Sequence, residues 1–143
     1  MTPEQIKIIK LTFAQAMISK DQVGKLFYDR LFTIAPDTRP LFKGSIDEQA
    51  RKLMDTLALA IASLRDTPTL IATLESLAKR HVAYGVKDEH YDQVGQALLW
   101  TLEQGLGAAF TPHAREAWTA LYGTVSKVMC DAVAGRSGTK AVA

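Results

Sequence analysis

The 143 residues contain one cysteine, Cys130, so no disulfide can form within the chain, and a reducing compartment, the cytoplasm, is the expected setting. Long hydrophobic runs are also missing. The longest, residues 57–64, is broken by Ser63 and is far shorter than the roughly 20 residues that cross a bilayer. The opening decapeptide MTPEQIKIIK lacks the apolar core of a signal peptide. Neither sign of charge prevails: 17 Lys and Arg face 15 Asp and Glu, and the basic residues are scattered, which excludes a nucleic-acid-binding face. CxxC, HExxH, GxSxG and the Walker glycine loop are all absent, which removes the usual signatures of hydrolysis and nucleotide binding. No strand-like alternation, internal repeat or shift in composition marks a second domain.

What remains is helical periodicity, with 48% hydrophobic and 22% charged residues, enough for one substantial core. Thr2-Pro3-Glu4-Gln5 has capping-box spacing, and Ile6, Ile9, Phe13 and Met17 follow on one face, which predicts a helix to about Ser19. A second helix is expected from Asp21, with Val23, Phe27, Leu31 and Ile34 inward and Tyr28 and Phe32 beside them. Pro36 ends it. Residues 36–42, PDTRPLF, suit only a short helical turn. Ser45-Ile46-Asp47-Glu48 repeats the capping-box spacing and opens a long helix whose inner stripe is Ile46, Ala50, Leu53, Leu57, Ile61 and Leu64, flanked by Gln49 and Met54. Asp88 is a candidate cap for a fifth helix carrying Tyr91, Val94, Leu98, Thr101 or Leu102, and Gly105. Thr111-Pro112 opens a sixth, with Ala114, Trp118, Leu121, Val125, Val128 and Ala132 on its stripe. From Gly135 the periodicity stops, so residues 1–134 read as one domain and residues 135–143 as a loose tail.

The fourth helix, within residues 67–86, organises the rest. Thr67 and Pro68 read as a cap and a first-turn proline, and Gly85 as the stop. Leu70, Leu74, Leu77, His81 and Tyr84 fall at steps of four, three, four and three, so one imidazole sits on an otherwise apolar stripe. A buried imidazole needs a partner. Two readings stay open at this point: a core histidine satisfied by a backbone carbonyl, or an axial ligand to haem iron. His90, beside a candidate cap, and His113, in a first helical turn, are expected to be solvated and to bind no iron.

Several segments resemble globins: Pro40-Leu41-Phe42 after the short turn, Gln49 and Leu53, Lys79-Arg80-His81 with Gly85-Val86, HYDQVGQALL at residues 90–99, and AWTALYG at residues 117–123. The likeness is to bacterial single-domain haemoglobins and to the haem domain of flavohaemoglobins, with some similarity to neuroglobin in GLGAAFTPHAREAW and the following LYG. It implies an all-α globin fold, six long helices and one short turn around a b-type haem. By that resemblance His81 is the proximal iron ligand, Phe42 stacks on the haem ring, and Tyr28, Gln49 and Leu53 line the distal pocket. Leu57, Leu77, Val86, Tyr91 and Val94 complete the haem contacts. Lys52, Lys79 and Arg80 are candidates for the propionates.

The function implied is reversible binding of oxygen and other diatomic ligands, nitric oxide and carbon monoxide among them, at a five-coordinate iron. An enzymatic alternative is a nitric-oxide dioxygenase, with Tyr28 and Gln49 as its working residues. It would draw on an external reductase, since no residues remain for a flavin- and nicotinamide-binding domain. A partner-dependent gas sensor and a haem-free interaction module are further alternatives. Two departures stand out. Gln49 replaces the distal histidine of neuroglobin, and Val133 replaces a flavohaemoglobin glutamate, which argues against strong peroxidase-like oxygen activation.

Overall fold

The computed structural model of the chain describes residues 1–83 and 87–142, with side chains described at all of these except 83, 88 and 133–142. Six α-helices follow one another: α1 (Pro3–Met17), α2 (Lys20–Ile34), α3 (Ile46–Ala62), α4 (Thr67–Ala83), α5 (Asp88–Leu106) and α6 (Pro112–Val142). A 3-10 turn, Pro36–Leu41, stands between α2 and α3, as the two prolines predict. A second, Gly107–Ala109, was not foreseen; it forms because Gly107 takes φ +55°, a conformation open to glycine, and breaks α5 there. The α6 backbone continues past Gly135, where the apolar periodicity ends. Among the described residues no helix is long and apolar enough to cross a membrane.

The helix starts show where local chemistry decides. Thr2 and Gln5 form the expected capping box, each side chain taking the other's backbone N–H at 3.1 and 3.0 Å. At α3 only the Ser45 half of the box forms, with Glu48 N–H donating to Ser45 Oγ at 3.3 Å. Thr111 caps α6 as expected, accepting from the Ala114 N–H at 3.1 Å. The cap of α4 is Asp66 rather than Thr67. Its carboxylate accepts from both the N–H and the hydroxyl of Thr69, at 3.3 and 2.7 Å, and a carboxylate is the better partner for the positive end of a helix. Gly85, the expected stop of α4, lies outside the described residues.

Specific close approaches brace α1, α2, α3, α5 and α6. The α2–α3 crossing is tight because Gly24 faces Ala50; a Cβ on Gly24 would lie 2.7 Å from the Ala50 Cβ and 3.1 Å from its carbonyl oxygen. Likewise α5 meets α6 where Gly95 takes the ring of Tyr122, a Cβ there lying 2.7 Å from Tyr122 Cε2. Between α1 and α6, Trp118 is fully buried and donates through Nε1 to Thr12 Oγ1 at 2.8 Å, with Phe13 packed on its ring at 6.2 Å. The main packing partners are α2 with α3 and α5, and α6 with α1, α4 and α5; α3 and α4 meet only lightly. So α3 and α4, the helices that carry Leu53 and His81, do not pack closely on each other.

Adding one methyl group therefore has opposite signs at different glycines. Gly24→Ala and Gly95→Ala should each destabilise the fold by about 1–3 kcal/mol, because the helix backbone or a hydrogen-bonded ring must move. Gly123→Ala, in α6 with nothing within 4 Å of its Cβ, should stabilise by about 0.5–1 kcal/mol. Urea unfolding monitored by far-ultraviolet circular dichroism measures all three.

Candidate functional site

The close approach of Gly24 to Ala50 brings Tyr28, one turn further along α2, to the side chain of Gln49 on α3. Tyr28 is 3% exposed, deeper than its place beside the α2 stripe suggests. Burial pushes its hydroxyl up to about 12, partly offset by hydrogen bonding with the Gln49 side chain. The hydroxyl thus keeps its proton and remains a donor. Around the ring stand Phe27 edge-on at 4.9 Å, Phe42 edge-on at 5.2 Å and Phe32 tilted at 5.8 Å. Such edge-to-face geometry locks a tyrosine rotamer and so aims its hydroxyl.

Phe42 is held from two directions. Phe32 and Tyr28 pack on its ring at 5.7 and 5.2 Å, and Arg39 Nη1 donates to its carbonyl at 2.9 Å. The Arg39 guanidinium also lies 5.2 Å from the centroid of Phe32. Arg39 was missed in the sequence reading, although its spacing of three from Phe42 within a proline-bounded turn is a usable signal.

On α4, His81 is half-buried and its Nδ1 donates to the Leu77 carbonyl at 2.9 Å. This is the backbone bond that a core histidine would make, but it leaves the basic lone pair on Nε2. Burial pushes the imidazole below its ordinary value; the Leu77 carbonyl opposes this, and the Arg80 charge adds to it. A neutral imidazole of fixed tautomer is what a metal takes as a ligand. Among the described residues no group of three His, Cys, Asp or Glu is placed to hold a bare ion. A metal at His81 must therefore bring most of its own ligands.

The apolar surroundings suit a flat hydrophobic group. On α3, Leu53 and Leu57 were expected in the inner stripe and Met54 on its flank; instead Met54 is in the core and both leucines are half-buried. The lack of close α3–α4 packing explains the change. Phe42, Leu77 and Val94 are half-buried as well, so apolar groups on α3, α4, α5 and after the turn each keep part of their surface uncovered. Lys52, Lys79 and Arg80 are exposed on the same helices as Leu53 and His81. Tyr91 is buried at the start of α5, and its carbonyl accepts from Tyr122, whose own hydroxyl burial pushes well above the ordinary value, with Tyr91, Cys130 and Asp92 adding to the shift. Tyr84 and Val86 lie outside the described residues, as does the side chain of Val133.

The two other histidines part ways. His113 is exposed, as expected. His90 is not solvated but 5% exposed, because its ring turns inward to accept the Lys87 N–H and to reach Asp37. It thereby ties up the backbone N–H at the start of α5, while the side chain of Asp88, the expected cap, lies outside the described residues.

Comparison with known proteins agrees with this arrangement. Flavohemoproteins of Vibrio cholerae and Bordetella pertussis are each 30% identical, over 134 and 133 residues. These alignments cover 92% and 90% of the chain but only 34% and 33% of the relatives, so the chain spans about a third of the length of the curated relatives it matches. A hexacoordinated heme protein from an anhydrobiotic tardigrade superposes with TM-score 0.84 over 92% of this chain and 94% of that one, at 15% identity, a likeness of fold alone. The globin family model matches residues 25–129, and the chain belongs to the globin family.

Proposed function

We propose that the protein binds a b-type haem between α3 and α4 and uses it to take up oxygen and related diatomic gases reversibly. The observation that carries this reading is the presence, in a globin fold, of a half-buried imidazole on α4 whose Nδ1 is committed to Leu77 and of a buried tyrosine hydroxyl beside Gln49. When bound, the haem would supply an iron held by a protein nitrogen and able to take up a small gas molecule. His81 is the nitrogen donor; Phe42, Leu53, Leu57, Leu77 and Val94 would cover the apolar faces, and Arg80, Lys79 and Lys52 would meet the carboxylates at the rim. Tyr28 and Gln49 supply hydrogen-bond donors on the gas side, where a buried donor favours a ligand atom that carries partial negative charge. Gln49 offers an amide, a poor iron ligand beside imidazole.

The likeness to flavohemoproteins favours a second reading at the same residues: nitric-oxide dioxygenation, in which oxygen and nitric oxide yield nitrate while a separate reductase supplies the electron. Stopped-flow mixing of the oxygenated protein with nitric oxide, followed by reduction with candidate reductases, separates turnover from simple storage.

His81→Ala should lose haem or hold it loosely, with free imidazole partly restoring the Soret band, whereas His113→Ala should keep full haem content. Normal axial ligation in His81→Ala would remove His81 from its role. Ferrous protein without gas should be mainly five-coordinate by absorption spectroscopy, in contrast to the coordination named for the tardigrade protein; a low-spin six-coordinate spectrum would mean that a further side chain reaches the iron.

Tyr28→Phe removes a hydroxyl and little else. A hydrogen bond to a charged acceptor is worth about 1.5–3 kcal/mol, so oxygen release should speed up roughly ten- to a hundred-fold. Carbon monoxide, nearly neutral when bound, should change several-fold at most. Because Tyr28 stays protonated up to about 12, the wild-type oxygen release rate should be flat from about pH 7 to about pH 10. An unchanged ratio of oxygen to carbon monoxide release rates in Tyr28→Phe would reduce Tyr28 to a packing residue.

A further inference from the structure

His90 lies outside the gas-binding constellation, yet it is buried and both ring nitrogens are engaged. A backbone N–H can only donate, so Nδ1, 2.9 Å from the Lys87 nitrogen, must hold the lone pair. Nε2 then carries the proton and donates to Asp37 Oδ2 at 3.3 Å, across 53 positions of sequence. The imidazole is therefore strung between the first residues of α5 and the 3-10 turn that leads into Phe42.

Both ends of this link are stiff. On the turn, Thr38 Oγ1 donates to the Ala35 carbonyl at 2.7 Å, and Arg39 holds the Phe42 carbonyl. On α5, the next residue after His90 is Tyr91, whose carbonyl receives the Tyr122 hydroxyl. A displacement of the α5 start is thus carried through His90 and Asp37 to the segment that presents Phe42.

We propose that His90 and Asp37 are positioning residues that clamp the Phe42 turn to the start of α5 and so slow the loss of haem. The clamp rests on the haem reading above. It touches neither His81 nor the gas side in the bonds described, so its effect should fall on retention of the group and not on which gas is bound.

Asp37 is two-thirds exposed, so replacing it leaves the core untouched. Haem transfer from the loaded protein to an excess of a scavenging apoglobin measures retention. Asp37→Ala should speed transfer roughly tenfold, what one charge-assisted hydrogen bond at the low end of its range provides. Asp37→Asn keeps an acceptor and should recover part of that loss. His90→Asn keeps an acceptor for the Lys87 N–H but is too short to reach Asp37, so it should match Asp37→Ala. Combining the two should add nothing further if the residues act as one unit. Nitrogen-15 spectra of the carbon-monoxide-bound ferrous protein should show His90 as the Nε2–H tautomer.

Wild-type transfer rates in Asp37→Ala and His90→Asn, additive losses, or an Nδ1–H tautomer would each overturn the clamp while leaving the haem reading in place. Failure of the wild-type protein to take up haem would overturn both.

Discussion

Helices α3 and α4, which carry Leu53 and His81, meet only lightly, and the packing of the rest of the fold keeps them so. Helix α3 is pressed onto α2 through Gly24 and Ala50, while α4 rests on α6. Had α3 and α4 closed together, Leu53, Leu57 and Leu77 would be ordinary core residues. Held apart, they remain half-buried, and the apolar area they leave uncovered favours binding of a group that removes it from water at about 25 cal/mol per Å². The cost of that uncovered surface is offset by the fully buried seams elsewhere, notably Trp118 against Phe13 and Thr12.

The residues of the site are oriented in different ways. Around Tyr28 three phenylalanine rings, Phe27, Phe32 and Phe42, pack closely, so its hydroxyl is held rigidly. On α4 the imidazole of His81 donates to the Leu77 carbonyl. Side chains braced in this way keep a defined direction. The flavohemoprotein relatives extend far beyond the matched region.

Much of this was legible in the sequence because it rests on local rules. Capping residues and proline positions marked the helix starts, and the stripe of α4 pointed to His81 through periodicity alone. Tyr28, Gln49 and Phe42 drew their roles from the resemblance, since none is distinctive by residue type. The misreadings have a common cause. His90 looked solvated because its neighbours in sequence are polar, but its burial depends on Asp37 on a distant segment. Leu53 and Met54 exchanged places because periodicity finds an apolar face without saying which part of it a neighbour covers. Tyr122 went unremarked because its meaning depends on Gly95, a glycine within a helix whose only use is to admit that ring.

The bond from Trp118 to Thr12 joins residues 106 positions apart, and it has a consequence for synthesis. Helix α1 leaves the ribosome before the other five, but its chief packing partner is α6, so Phe13 lacks its native cover on Trp118 until α6 has emerged. At about 5–20 residues per second this interval lasts roughly 5–20 seconds, far longer than helix formation itself. During that time the α1 stripe is an exposed apolar surface on a nascent chain, and the hydroxyl of Thr12 is bonded only to the carbonyls of its own helix. The packing that holds α4 against α6 and α3 against α2 is therefore complete only after a long-range seam has closed.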